Sequence, residues 1–467
     1  MKRALLSLAS LASVLAVACG GSTPPPVAPP PPPPPAPAVA PLAPAPQADA
    51  PPATEGDVTV AFSRGMEILV KRTPAAEFVA ADLFIRGGTR NWTAANAGIE
   101  DIALSVATTG GTQTLAKEPY TRKLASLGAT IGSDTGNDFS TIAAKAPVKS
   151  WDELLPIFAE TFLAPALPAS EFEIAKQRGL AARRHETEDG DGRLWLIARK
   201  AVFGGHPYGN RPVGTVETLT GMKADDLAPH LAKLRDTNRL VLVVVGDVDP
   251  AHVIDQAERA FASVPRGSYV ETPIPQLHFD GSHLTGDPFK LPTNYVQSMF
   301  AGPAWSDPDF IPEWLGMSLL GQRVFDEVRT KRNLSYAPSA YLQMRVAAPF
   351  GSLYVTSVDP NAAMKVMFDE AHKLGTELIP AKEFAGAKAV FVSGYLQGHE
   401  TVDGQANELG TSLLLGGDWH LVNTNIERLK ATTPEAVRDA AKKWFTNVQT
   451  AIVGDPSKLD AKIVGAQ

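Results

Sequence analysis

Apolar and polar positions fall into two periods along this chain. Alternation with a period of two marks strands at Val58–Phe62, Glu67–Val70 and Phe78–Arg86. The helical period is clearest from Gly98 to Thr112. There Ile99, Ile102, Ala103, Val106 and Ala107 recur at i, i+3, i+4, i+7 and i+8 and form one apolar stripe. Asp101, Leu104, Ser105 and Thr108 fall on another face, and Gly110-Gly111 ends the run. A short helix follows at Tyr120–Leu127, with strands at Ala129–Asp134 and Asp138–Lys145. Helices are expected at Val148–Leu163, Ala169–Glu188 and Ala224–Leu234, and a Val- and Leu-rich strand at Arg239–Val245. Strands that run beside one another, with helices grouped between them, predict an α+β domain: a mixed sheet with helices packed on it.

The pattern occurs twice. Pro168-Ala-Ser-Glu-Phe-Glu-Ile-Ala-Lys176 returns as Pro380-Ala-Lys-Glu-Phe-Ala-Gly-Ala-Lys388. His185-Glu-Thr-Glu-Asp-Gly190 returns as His399-Glu-Thr-Val-Asp-Gly404, and Leu242-Val-Val-Val-Gly246-Asp247 as Thr450-Ala-Ile-Val-Gly454-Asp455. The offsets lie between 208 and 214 residues and keep their order. A period near 210 residues is a duplicated domain and not a solenoid. Arg266 to Asn294 is rich in Pro, Gly, Ser and His without a sustained period, so it reads as a linker. The first domain then spans residues 54–265 and the second residues 295–467.

The chain opens differently. Lys2-Arg3 precedes an apolar run from Ala4 to Ala18 that is too short to span a membrane. The run ends Leu15-Ala-Val-Ala-Cys19-Gly20, and Cys19 is the one cysteine of the sequence. It resembles a bacterial lipoprotein signal, in which the cysteine is lipidated and becomes the first residue; the alternative is a plain secretory signal. By the same resemblance, the absence of Asp after Cys19 favours a lipoprotein of the outer membrane facing the periplasm. Residues 20–53 are dominated by Pro and Ala, a composition that favours polyproline II over a core and reads as a tether. At ~3.1 Å per residue its Pro-rich part reaches roughly 90 Å. With a single cysteine there is no intrachain disulfide and no Cys-based zinc site. The net charge of −7 supplies no basic excess for phosphates and argues against nucleic acid as a partner.

The helix after Gly98, the Leu124-Ala-Ser-Leu-Gly-Ala-Thr130 and Asp138-Phe-Ser segments, His206-Pro-Tyr-Gly209, Gly214, Leu219 and Gly246-Asp247 together resemble the insulinase, pitrilysin and mitochondrial processing peptidase family. The likeness covers about residues 57 to 460. It implies two homologous domains forming half of a clamshell. In active members the helix carries His-x-x-Glu-His, whose two His bind zinc and whose Glu activates water. Those places hold Asp101, Leu104 and Ser105. The third ligand of the family, a Glu on a later helix, aligns with Arg183 or Arg184, and an Arg cannot ligate a metal. The resemblance therefore implies a zinc-motif-lacking subunit that binds no cofactor of its own.

The second half keeps another signature. Gln322-Arg-Val-Phe-Asp-Glu-Val-Arg-Thr-Lys-Arg-Asn-Leu-Ser-Tyr336 resembles the family segment whose Arg and Tyr reach toward the active site from the half opposite the zinc. Arg329 and Tyr336 match that pair, with the implied roles of holding the substrate backbone and stabilising developing negative charge. Read without the family, Arg329 is a solvated residue beside the apolar stripe of Val324, Phe325 and Val328. The function expected is that of a lipid-anchored subunit of a heterodimeric metallopeptidase. A zinc-bearing homologous partner would supply metal, water and base, and this chain a sheet edge for the peptide. Two alternatives stand beside it. One is a scaffold that binds proteins and takes no part in proteolysis. The other is a hydrolase using the two His-Glu-Thr segments, each more simply read as a duplicated helix end.

Overall fold

The structure, a computed structural model, describes residues 51–467. The leader with Cys19, and the part of the Pro-rich stretch before residue 51, lie outside the described residues. The strands of the first half are β1 (Ala53–Glu55), β2 (Val58–Ser63), β3 (Met66–Arg72), β4 (Phe78–Arg86), β5 (Thr130–Thr135), β6 (Phe139–Pro147) and β7 (Leu240–Gly246). Its helices are α1 (Ile99–Thr109), α2 (Lys117–Leu127), α3 (Trp151–Leu163), α4 (Ala169–Glu186), α5 (Gly190–Phe203), α6 (Val216–Gly221), α7 (Leu227–Leu234) and α8 (Pro250–Ala260). The second half holds β8 (His283–Pro288), β9 (Asn294–Ala301), β10 (Ser339–Gln343), β11 (Phe350–Ser357) and β12 (Gln449–Gly454). Around them lie α9 (Phe310–Val324), α10 (Pro360–Thr376), α11 (Ala381–Gly398), α12 (Val402–Gly416), α13 (Leu421–Ala431), α14 (Pro434–Trp444) and α15 (Ala461–Gly465).

The first sheet runs β1-β2-β3-β7-β4-β6-β5 and the second β10-β11-β9-β12-β8. Read from the opposite edge, the second sheet repeats the β3-β7-β4-β6-β5 part of the first, including the parallel pairs β3–β7 and β12–β8. The duplication legible in the sequence is thus a duplication of topology. β7, a continuous Val and Leu run, is buried along its whole length, as a strand covered on both faces must be. One difference concerns the stretch read as a linker. Its residues His283–Pro288 form β8, an edge strand parallel to β12, and Ile274 and Leu277 are buried in the second half's packing. β8 is short and largely exposed, so its composition carries no alternation to reveal it. The α5 and α8 helices were likewise absent from the sequence expectations.

β4 shows how the two layers form. Val79, Ala81, Leu83 and Ile85 pack toward α1 and α3 of their own half. The alternate residues Ala80 and Phe84 pack on Val402, Ala406, Leu409 and Leu413 of α12, which belongs to the other half. The approach is close: a Cβ added to Gly410 would lie 2.1 Å from the Phe84 ring. The equivalent helix of the first half, α5, returns the cover. Its Leu194, Ala198 and Val202 lie against Met299, Ala451 and Val453 of the second sheet. Each Val, Leu, Ile, Met or Phe side chain among them contributes about 1.5–3 kcal/mol when fully buried. Both halves accordingly fall in one compact unit.

A polar knot ties the same seam. The buried Tyr208 hydroxyl donates to Asp138 Oδ1 at 2.7 Å and accepts from the Ala347 N–H at 2.8 Å and the Ala348 N–H at 3.2 Å. Ala347 N–H also reaches Asp138 Oδ2 at 3.2 Å. Burial pushes the Asp138 carboxyl up to about 6, against the lowering effect of the Tyr208 hydrogen bond and the Arg90 charge. Tyr208→Phe takes a donor from the buried Asp138 carboxyl and leaves the Ala348 N–H without its partner, while the Ala347 N–H keeps Asp138 Oδ2. We expect a loss of about 1–3 kcal/mol in urea denaturation, with little change in secondary structure.

Glu313 on α9 is 2% exposed, and its Oε2 has no partner among the described residues. Burial, then the nearby Asp309 charge, pushes its carboxyl from 4.5 up to about 8. The folded state therefore holds this proton more tightly than the unfolded chain does. Stability from this group is fully present below pH 4.5 and is lost as the pH rises through about 8. Glu313→Gln should flatten that fall, so the variant gains on wild type between pH 5 and pH 8.5. Denaturation midpoints across the range read this directly.

Candidate functional site

Helix α1 begins at Gly98, which has φ +90°, and a Cβ there would lie 2.7 Å from the Gly214 Cα. Only glycine meets both demands. The first turn is then pinned by a residue that the sequence did not single out. Glu100 is 1% exposed and accepts from the Ser140 hydroxyl at 2.5 Å, the His230 Nε2 at 3.1 Å and the Trp92 indole at 3.2 Å. Its carboxylate also faces the positive end of the helix. No period reveals such a residue, because its partners come from three separate segments.

Of the three positions on α1 that correspond to ligands and base, Asp101 and Ser105 are half-buried and Leu104 is fully buried. The sequence sets Leu104 with Asp101, Ser105 and Thr108 on a face apart from the apolar stripe, yet its side chain is fully buried. It packs in the first core with Ile102, Val106 and Ala107, because α1 is covered on more than one side, by β5, α3, α4 and α7. Thr108 is buried as well and turns its hydroxyl onto the Leu104 carbonyl at 3.0 Å. Asp101 and Arg183 come together across α1 and α4. Burial, then the Asp134 charge, raises the Asp101 carboxyl to about 6, while the Arg183 charge lowers it. Arg183 pairs with Glu186 at 2.7 Å, and Glu186 also holds Arg211 at 2.7 Å.

This donor set does not fit a catalytic zinc. Asp101 alone is a ligand type, Leu104 has no donor atom, and the Arg183 cation repels a metal. The Arg183–Glu186–Arg211 ion network occupies the neighbouring space instead. The two His-Glu-Thr segments are turns between helices. Asp189 caps α5 through the Gly192 N–H, and Thr401 caps α12 through the Gly404 N–H. His399 Nδ1 donates to the Tyr395 carbonyl at 2.7 Å, and Asp403 pairs with Lys145 of the first half.

In the second half, α9 passes into a π-helical turn over Phe325–Thr330. The turn places the Arg329 guanidinium carbon 4.1 Å from the Tyr336 ring centroid and 4.8 Å from that of Phe325. Tyr336 is 77% exposed and Phe325 40% exposed. Neither the guanidinium N–H groups nor the phenol hydroxyl has a hydrogen-bond partner among the described residues. The structure therefore brings a half-buried Arg329 and an exposed Tyr336 into one stacked pair whose side-chain donors have no partner among the described residues.

These features define a class: a duplicated α+β chain on a metallopeptidase plan whose zinc helix carries no ligand set. Residues 67–199 match "Insulinase (Peptidase family M16)" and residues 221–391 match "Peptidase M16 inactive domain". The chain belongs to the M16 family. It is 22% identical over 420 residues to an uncharacterized zinc protease of Rickettsia felis, covering 85% of this chain and 97% of that protein. It is 21% identical over 363 residues to the non-peptidase homolog YmxG of Helicobacter pylori, covering 74% and 82%. Its match to the mitochondrial-processing peptidase subunit beta of Lentinula edodes is 24% over 277 residues, 56% and 57% of the two chains. The M16 inactive-domain structure from Pseudomonas fluorescens shares the fold with a TM-score of 0.76 at 19% identity, over 85% of this chain and 97% of that one.

Leu104→Glu restores the family's base at its place, but inside a packed core. It should cost about 3 kcal/mol or more, whereas Asp101→His with Ser105→His, at half-buried positions, should cost much less. Urea denaturation of the two variants side by side checks the contrast.

Proposed function

We propose that this chain is the zinc-free subunit of a two-chain metallopeptidase. A zinc-bearing M16 partner supplies the metal, the attacking water and the catalytic Glu. This chain supplies half of the chamber, an open sheet edge at β5 for an extended peptide, and the Arg329–Tyr336 pair. The observation that carries the reading is that pair: a planar five-donor cation, half-buried, and an exposed phenol, stacked at 4.1 Å and without acceptors among the described residues. Buried or paired donors would suit a structural role; free ones suit a carbonyl oxygen that gains charge during the reaction. The subunit status of one relative, a processing peptidase subunit beta, supports an assembly of M16 chains. We propose further that the body is held in the bacterial cell envelope through a lipid on Cys19, with the Pro-rich stretch as tether and the outer membrane as anchor. The residue pattern of the leader supports this.

The test is a pull-down of the tagged chain from its envelope extract, assayed on a quenched peptide with and without a zinc chelator. Chelator-sensitive cleavage in the eluate, absent from the chain alone, is the expected result. Arg329→Ala and Tyr336→Phe should each lower that cleavage at least 100-fold, by analogy with the loss of an oxyanion donor at about 10²–10³-fold, while the partner still co-purifies. A partner without peptidase activity, or unchanged turnover by both variants, would favour the scaffold role.

A further inference from the structure

The loop that follows α5 and the segment that follows β4 enclose a cavity of about 610 Å³, whose wall includes Arg90, Trp92, Arg199, Lys200, Phe203 and Arg211. Glycine shapes the loop: Gly205 has φ +78°, and a Cβ on Gly209 would lie 2.7 Å from the Phe203 carbonyl oxygen. His206, on the same wall, is spent on holding the loop in place. Its Nδ1 accepts from the Tyr208 N–H at 3.1 Å, and its Nε2 donates to the Pro275 carbonyl at 2.8 Å. The cavity wall includes none of the degenerate zinc positions and neither Arg329 nor Tyr336.

Every fully ionised side chain on this wall is a cation. The carboxylates nearby do not balance them, because each is shared. Glu186 holds Arg211 at 2.7 Å but also Arg183 at 2.7 Å. Glu271 holds Arg90 at 3.2 Å but also Arg86 at 3.7 Å. The Arg90 side chain is 5% exposed, and its buried Nε has no partner among the described residues. Arg199 and Lys200 have no ion-pair partner among the described residues. Arg199 is half-buried, with its guanidinium carbon 5.3 Å from the Phe203 ring centroid and 5.6 Å from that of Trp195. It donates to the Tyr208 carbonyl, a neutral acceptor. Burial, then the Arg211 charge, lowers its pKa from 12.5 to about 10, as expected of a guanidinium short of a counter-ion.

A structural role accounts for part of this arrangement. Lys200 lies in the last turn of α5, where a cation meets the negative end of the helix. An exposed lysine does that from the surface, and the effect fades within one turn. It does not explain an arginine without an acid, half-buried beside Arg211, or the unpartnered Nε of Arg90 on the same wall.

The chemistry that would satisfy the wall is an oxyanion. Guanidinium groups match phosphate and carboxylate oxygens in geometry as well as charge. Two cations, Arg199 and Lys200, are left over, which suits a dianion better than a single carboxylate. A phosphate monoester carries about −1.5 to −2 at pH 7. Trp92, Leu196 and Phe203 give the same cavity an apolar side for an organic group, and its volume is that of a small-molecule site. We propose that this cavity binds a small phosphate monoester, with Arg199 and Lys200 balancing the phosphoryl charge, Arg211 and Arg90 as further donors, and the organic group against Trp92 and Leu196. The site is independent of the peptidase-subunit reading above.

The test measures binding of three probes to the full chain by calorimetry: phenyl phosphate, inorganic phosphate, and benzenesulfonate, which keeps the ring but carries one charge. Phenyl phosphate should bind roughly tenfold or more tighter than either of the others, the scale of one charge-assisted hydrogen bond or one buried ring face. Arg199→Gln, whose folding is checked by its denaturation midpoint, should weaken phenyl phosphate by roughly tenfold or more. Lys200→Gln, an exposed change that leaves the core untouched, should weaken it about threefold. Lowering the pH through the monoester's second pKa, about 6, should weaken binding to wild type. No binding of phenyl phosphate by wild type, or unchanged binding in a folded Arg199→Gln, overturns the proposal. If Arg199→Gln does not fold, unchanged binding in Lys200→Gln overturns it instead. Inorganic phosphate bound as tightly as phenyl phosphate overturns the organic part of the ligand, and benzenesulfonate bound as tightly overturns the dianion.

Discussion

The two sheets of this chain depend on an exchange. Each has one face covered by helices of its own half and an inner face that its own half leaves bare. α12 closes the first sheet over Phe84 and Val243, and α5 closes the second over Met299 and Val453. An isolated half would expose a continuous apolar face of β-branched and aromatic residues, so the halves hold each other folded. The Asp138–Tyr208–Ala347 knot fixes the register of that embrace, because a buried carboxylate and hydroxyl tolerate no slip away from their donors. The turns that start both exchanged helices are the two His-Glu-Thr segments, and this explains their duplication without any metal.

The seam also creates the features with chemical potential. At Gly410, α12 lies in contact with the sheet at Phe84, and Asp82 and Thr411 line a cleft between the same elements. On the opposite side of the same sheet, α1 is held by Glu100 and filled by Leu104, so the helix that carries zinc in active M16 members serves here as core. The residues at the family's ligand places do not form a zinc-binding set, while the family's fold is present. The edge strand β5 and the Arg329–Tyr336 stack lie apart from that helix, on different halves of the chain.

Much of this was legible beforehand. The strand limits at Phe78–Arg86, the helix after Gly98 and the repeat near 210 residues all follow from period and order, and the structure has them. The misses have physical causes. β8 has no alternation because it is an exposed edge. α5 carries Leu194, Ala198 and Val202 at helical spacing, but the glycines at its start, Gly190 and Gly192, are poor helix formers and weaken its local signal. A single apolar stripe describes one side of α1, whereas α1 packs on more than one side and takes Leu104 into the core. Glu100 gave no signal at all: a lone acid in a patterned stretch is indistinguishable from a solvated one until its surroundings are known.

The sequence by itself determined the class of the two domains, their duplication, the family, and the replacement of the zinc-binding residue types. These are properties of period, order and chemical identity, which a chain carries unfolded. Only the tertiary structure decided that the halves exchange helices, that Leu104 lies in the core, that Arg183 belongs to an ion network, and that Arg329 and Tyr336 stack. Each of those depends on residues far apart in the chain arriving at one point, and burial and pairing are properties of that point.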